Sequence, residues 1–255
     1  MRRPIIYPPC KGWLEDLPSV HDEAHVVPLL EGSPNVLNEV YLEVSRCVSR
    51  ARGTGIYIGL IMSCALLWMH YFVFFKVGLI SLEVVALILC VTGVIAYPVF
   101  LVYRLEVDRP RDLPIRFNRL RRRMYVYDFK YSTWNPFAKW QVEVSAWEWE
   151  NVYAESWRST TLGAGGGLII NFGVSLAVVD PGTHNAVNRF MLCVNSANEH
   201  AWAYICTYMQ YGPHALPLPD PPRDHDDILW CNIALRLAPK VHWPEDMDLE
   251  SRTAP

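Results

Sequence analysis

Apolar and polar positions follow three different patterns along this chain, and each predicts a different kind of element. Two stretches have no polar period at all. Gly55–Phe75 (GIYIGLIMSCALLWMHYFVFF) and Val84–Tyr103 (VVALILCVTGVIAYPVFLVY) contain no charged residue. Each is about 20 residues long, enough at helical rise to cross the hydrocarbon core of a bilayer. A short join carrying Lys76 and Glu83 separates them, so the pattern predicts a transmembrane hairpin over 53–104 whose helices satisfy their own backbone groups. Upstream, Leu37, Val40, Tyr41, Val44, Cys47 and Val48 recur at helical intervals, with Glu39 and Glu43 on the other face. That spacing predicts an amphipathic pre-membrane helix over 34–52. Before it, residues 1–33 are proline-rich and read as an extended tail that docks through Trp13 and Leu14.

Beyond the hairpin the period becomes twofold. Ile115 and Phe117 alternate with Arg116 and Asn118, and Arg119–Arg122 form a polar turn. Tyr125, Tyr127 and Phe129 then alternate with Met124 and Val126, which predicts a first β-hairpin. Further strands are predicted at Val142–Ser145, Val152–Trp157, Leu168–Val178 and Arg189–Val194, with Asp180-Pro181-Gly182 as a turn. Ser196 and Glu199 have capping-box spacing, Trp202, Ile205, Cys206 and Met209 form a helical stripe, and Gly212-Pro213 ends it. Antiparallel strands followed by one amphipathic helix over 111–212 predict a membrane α-hairpin plus an α+β domain. The expected form is a PH-like antiparallel β-barrel or sandwich closed by that helix. The extension over 213–255 is expected to dock one last strand through Ile228, Trp230, Ile233, Leu235 and Leu237, then end as a loose acidic segment.

Charge decides orientation. Arg46, Arg50 and Arg52 precede the first span, while Arg104, Arg109, Arg111 and Arg116 follow the second. The positive-inside bias therefore places both termini in the cytoplasm of a multi-pass inner-membrane protein. The start of the chain lacks the apolar core of a cleavable signal, so the first span is expected to direct insertion itself. A formal net charge of −3 argues against wholesale nucleic-acid binding. Seven cysteines without C-x-x-C spacing predict free thiols rather than a disulfide or zinc framework.

Candidate chemistry is sparse. Gly163–Gly167 lacks the Gly-Lys-Ser/Thr ending of a phosphate loop and precedes a strand, so it reads as a β-connection. His225, Asp226 and Asp227 lack a further spaced ligand group, and no nucleophile–base motif is present. His70 sits near the turn of the hairpin, too close to the interface for a proton relay. Neither an enzymatic activity nor a cofactor is expected. Two interaction signals remain. Arg116, Arg119, Arg121, Arg122 and Arg123 lie just past the membrane exit, where an anionic leaflet or an acidic partner attracts them at about 1 kcal/mol per basic residue. Trp134, Trp140, Trp147, Trp149 and Trp157 concentrate aromatic surface of the kind that dominates protein–protein hot spots. Within the spans, Ser63 and Gly93 are the expected positions of close helix packing, including packing in a homo-oligomer.

The runs LPIRFNRLRRRMYVY (Leu113–Tyr127), WNPFAKWQVEV (Trp134–Val144) and WENVYAE (Trp149–Glu155) resemble a family of proteobacterial membrane proteins catalogued as domain of unknown function 6708. The resemblance runs from the hairpin to about Leu237. It implies a setting beside type VI secretion effectors, and hence an immunity protein that neutralises an antibacterial toxin by direct binding. An effector-accessory or chaperone role, or a lipid-sensing scaffold using the basic hairpin, is the alternative. The implied partners are a cognate toxin or effector and membrane lipids.

Overall fold

In the computed structural model, the described residues are 3–255 except 24, 31, 47–51, 79–80, 163–166, 195–197, 219, 223 and 225. The expectations that rest on Ser196, on the glycines 163–166, on Cys47, Val48 and Arg50, and on His225 lie outside them.

The two uncharged runs are helices. α1 spans Thr54–Tyr71 and continues as a π-helical turn over Phe72–Val77; α2 spans Leu82–Val107. Both are long and apolar enough to cross a membrane, and almost nothing in their most apolar windows is buried. A helix that is apolar all round and left uncovered by protein needs a nonpolar solvent. The two pack on each other where small residues admit larger ones. A methyl group on Gly55 would meet Val102 Cγ1 at 2.7 Å, and one on Gly59 would meet Val99 Cγ1 at 3.5 Å.

The rest is two antiparallel sheets. β1 (Trp13–Asp16), β7 (Val152–Leu162), β8 (Leu168–Val179) and β9 (Ala186–Val194) form one sheet in the order β1-β7-β8-β9. The other sheet has the order β2-β3-β4-β5-β6, from β2 (Val36–Leu37), β3 (Tyr41–Val44), β4 (Ile115–Asn118), β5 (Arg123–Lys130) and β6 (Gln141–Glu148). Neither sheet closes on itself, so the expected PH-like barrel gives way to an open α+β arrangement. The reason lies upstream of the hairpin, where three unanticipated strands arise. β1 covers an edge of the first sheet, and β2–β3 extend the second through pairs such as Leu42↔Phe117 and Glu43↔Arg116.

The expected helix over 34–52 is thereby corrected: its described residues 36–37 and 41–44 are strands. All four residues of β3 are buried because both of its faces are covered. A strand covered on both sides loses the alternation that marks a half-buried one.

α3 (Asn198–Tyr211) lies against the inner faces of the two sheets. Leu42, Ile115, Phe117, Met124, Val174, Leu176, Phe190 and the α3 residues Trp202, Ile205 and Met209 share one core. The outer face of the five-stranded sheet is also covered, here by Tyr127, Phe129 and Trp140 packing with Leu101 and Leu105 of α2 and with Val241 and Trp243. That second core joins the sheet to the end of α2. The expected final strand is instead a short helix, α4 (Ile233–Leu237), and the expected loose acidic end is α5 (Glu245–Arg252), docked on β4.

Candidate functional site

The five arginines are not a free cationic patch. They lie on and around the β4–β5 turn, and each points at a partner within the chain. Arg116, in mid-β4, is 4% exposed. Its Nε donates to Glu43, and its Nη1 donates to Asp248 Oδ1 at 2.7 Å and Ser251 Oγ at 2.8 Å. Its guanidinium lies over the Trp243 ring at 4.3 Å, a cation–π contact strengthened by exclusion of water. Arg119 pairs loosely with Glu39 at 3.9 Å. Arg121 donates to the backbone carbonyls of Thr253 at 3.0 Å and Ala254 at 2.7 Å. Arg122 pairs with Glu150 at 2.8 Å, and Arg123 with Glu148 at 2.6 Å and Glu250 at 2.8 Å. Hydrogen bonds from Arg123 and Tyr125 hold the Glu250 carboxyl below its ordinary range. Glu148 and Glu150 are half-exposed to water while they carry these pairs. Arg116, Arg121 and Arg123 thus clasp the C-terminal segment around α5 to the sheet, and the acidic partners Asp248 and Glu250 are residues the sequence reading passed over.

The tryptophans divide the same way. Trp149 is fully buried where the chain crosses between the sheets, edge-on to Phe117 at 5.7 Å and tilted on Trp202 at 5.4 Å. Trp140 belongs to the outer core, with Arg104 over its ring at 4.1 Å. Trp147 packs on the main core, and Trp157 is buried with its Nε1 donating to Met191 Sδ at 3.1 Å. Only Trp134, of these five, stands in the open at 93% exposure. Of the two expected packing positions in the hairpin, Ser63 lines an apolar groove of about 750 Å³ between α1 and α2 and donates to Gly59 O at 2.8 Å. Gly93 faces open space, since a methyl group there would meet nothing within 4 Å. It plays no part in packing α1 on α2. His70 lines the same groove, bonded to Thr92 Oγ1 at 3.1 Å, rather than lying at an exposed end.

Buried reactive groups are committed to structure. Glu155 is fully buried and accepts from Arg189 Nε at 2.8 Å and from the Cys10 backbone at 3.1 Å. Burial, reinforced by Glu155, pushes the Cys10 thiol up to about 11, and burial pushes Cys206 up as well. Neither is a thiolate at neutral pH, so neither is an activated nucleophile. The described cysteines are free. No cluster of three potential metal ligands occurs among the described residues.

Among the described residues, the far end of the four-stranded sheet is left uncovered. β1 pairs with β7 only as far as Trp157, and β9 ends opposite Gly173. Beyond these points, among the described residues, β7 and β8 continue alone as a two-stranded ribbon, Ser159↔Asn171 through Leu162↔Leu168. Cross-strand partners share a face, so Leu162, Leu168, Ile170 and Phe172 extend the same face that buries Val174, Leu176 and Val178. Here that face is exposed: Leu162, Leu168, Ile170 and Phe172 are between 42% and 78% accessible. The ribbon therefore offers unpaired strand edges and an apolar patch together. Strand addition uses the first and hot-spot burial uses the second.

The sequence model of one family, described as a family of unknown function (DUF6708), matches residues 92–232, more than half of the chain. The match begins within α2 and takes in β4–β9 and α3. No curated protein and no solved structure matches.

Proposed function

We propose, for a chain that belongs to this family of unknown function, that it is a non-catalytic, membrane-anchored protein that captures another protein on the β7–β8 ribbon. The partner we assign is an antibacterial toxin or effector of type VI secretion, neutralised by direct binding at the inner membrane. The observation that carries the capture reading is the exposed ribbon, whose apolar face runs on past the core that uses its other half. Exposed apolar patches of this kind mark interaction sites.

In this reading α1 and α2 span the bilayer and both flanks lie in the cytoplasm. The pairing of β3 with β4 supports it, because the segments before and after the hairpin share one sheet and so must share one side. The arginine excess at both flanks supplies the direction. Lipid sensing by the arginine turn is the weaker reading, since Arg116, Arg122 and Arg123 are already neutralised by carboxylates.

The test is co-expression with the product of the adjacent gene in a sensitive host, followed by co-purification from detergent. Growth rescue and a stable complex are expected. Ile170→Glu with Leu168→Glu should abolish both while leaving thermal unfolding unchanged. A complex that survives the ribbon substitutions would overturn the assignment of the site, and failure to protect or co-purify would overturn the assignment of the partner.

A further inference from the structure

Two loops of the soluble part lie against the hairpin helices at the same level, on different helices. The β5–β6 loop meets α2: Tyr97 Oη donates to Thr133 O at 2.5 Å, and the rings of Phe137 and Phe100 stack at 5.5 Å. The segment before α4 meets α1, where Tyr57 Oη donates to Cys231 O. Tyr57 lies between Gly55, which faces Val102, and Gly59, which faces Val99. Its contact is therefore level with the Phe100 contact. From each loop a tryptophan projects into the open with an apolar neighbour: Trp134 with Phe137, 93% and 84% exposed, and Trp230 with Leu229, 83% and 73% exposed.

The level of these contacts is where water gives way to lipid. Charged groups begin just outward of it. Arg104 pairs with Asp108, Glu106 accepts from Gly53 N at 2.8 Å, and Arg52 Nη1 donates to Arg111 O at 3.2 Å. Inward of Arg104 the uncharged run of α2 extends from Tyr103 back to Val84. Tyr97 and Phe100 lie about 4–10 Å inside its end at 1.5 Å per residue. A run of about 20 residues is needed whole to cross about 30 Å of hydrocarbon. Both loop contacts thus fall at the boundary of the acyl chains, where tryptophan is enriched.

The loop backbones are prepared for that medium. Arg104 donates to the carbonyls of Pro136 and Ala138, the latter at 3.1 Å. Asn135 Oδ1 accepts from Phe137 N at 3.0 Å, and Asn135 O accepts from Ala138 N at 3.1 Å. Backbone groups near lipid must find partners within the protein, and these do.

We infer that the 131–138 and 229–231 loops are paired lipid-interface anchors, which insert Trp134, Phe137, Leu229 and Trp230 among the headgroups and upper acyl chains beside the spans. The ligand is the bilayer itself, recognised by apolar aromatic surface rather than by headgroup charge. They hold the soluble domain at a set height on the membrane, a property independent of what the ribbon captures. The inference rests on the spanning reading of α1 and α2.

The test uses the full chain in phosphatidylethanolamine/phosphatidylglycerol vesicles whose acyl chains are brominated either near the headgroup or near the methyl end. Difference emission spectra, wild type minus Trp134→Phe and wild type minus Trp230→Phe, isolate the two indoles. Trp68, 67% exposed on α1, serves as the internal control through Trp68→Phe. We expect Trp134 and Trp230 to emit as apolar indoles, quenched several-fold more by shallow than by deep bromines, while deep bromines quench Trp68. Water-like, unquenched emission from Trp134 and Trp230 beside a quenched Trp68 would overturn the anchors alone. An unquenched Trp68 would overturn the spanning reading and the anchors with it.

Discussion

Replacing Arg116 with methionine tests whether the arginine turn is structural or a free cationic site. The side chain is 4% exposed and is bound by two carboxylates, one hydroxyl and one indole face. Methionine preserves volume and the stacked contact with Trp243 but removes the charge. Glu43, whose side chain is 12% exposed, then loses its cationic partner and keeps the Asn35 amide at 3.1 Å. Breaking a buried pair from one side costs about 3–5 kcal/mol, because the remaining charge is uncompensated. For a domain of this size that is a fall of roughly 10 °C in midpoint temperature.

The assay is thermal and guanidinium unfolding of the full chain in detergent micelles, followed by near-ultraviolet circular dichroism. A cycle with Glu43→Gln isolates the pair: the double variant should recover most of the loss, since the stranded charge is gone. A surface arginine recruited for lipid would behave otherwise, with under about 0.5 kcal/mol lost on substitution. A midpoint unchanged within a degree or two, with no coupling to Glu43, would refute the structural role.

Acid should weaken the α5 clasp. The Glu250 carboxyl is held below its ordinary range by Arg123 and then Tyr125, so its contribution is fully present above the unfolded value of about 4.3 and lost as pH falls through the lower folded value. Urea unfolding at a series of pH values should show a decline below about pH 4 that Glu250→Gln removes; an identical pH profile in the two proteins would count against the contact. In the hairpin, Gly55→Leu must displace Val102 and Glu106, which approach within 2.7 Å of a methyl group there, and overpacking of this kind costs about 1–3 kcal/mol. Gly93→Leu meets open space and should leave stability in detergent unchanged, so equal effects at the two glycines would disprove the packing described.

The elements with one unbroken pattern were legible in the sequence. The uncharged runs became α1 and α2, the alternation at Ile115–Phe117 became β4, and the stripe through Trp202 and Met209 became α3. What misled was burial on two sides. Leu42 and Val44 face the main core, while Tyr41 and Glu43 face Arg116 and the C-terminal segment. The four residues of β3 therefore carry no alternation, and the accidental spacing of Leu37, Val40, Tyr41 and Val44 imitates a helix. The arginines misled for a related reason. Sequence places Arg116 and Arg123 far from Asp248 and Glu250, separations of more than 120 residues, and composition cannot say whether distant opposite charges meet. Trp134 and Trp230 carry no local signal that separates them from the buried Trp149. Their exposure follows from which loops the helices hold.

The second core gives the capture reading its physical form. A domain joined to its anchor by a flexible linker gains effective concentration but no orientation. Here Leu101 and Leu105 of α2 pack into the same cluster as Tyr127, Phe129 and Trp140 of the sheet. The sheet's register then runs on through β4 to β3, across the hairpin. The domain is fixed to α2 by packing, and strand pairing joins the segments on either side of the hairpin. A partner bound along the β7–β8 ribbon would be held in one attitude to the membrane instead of sampling many. Binding of that kind blocks a partner by where it is held as well as by what is covered, and this suits neutralisation of a protein that acts at the bilayer.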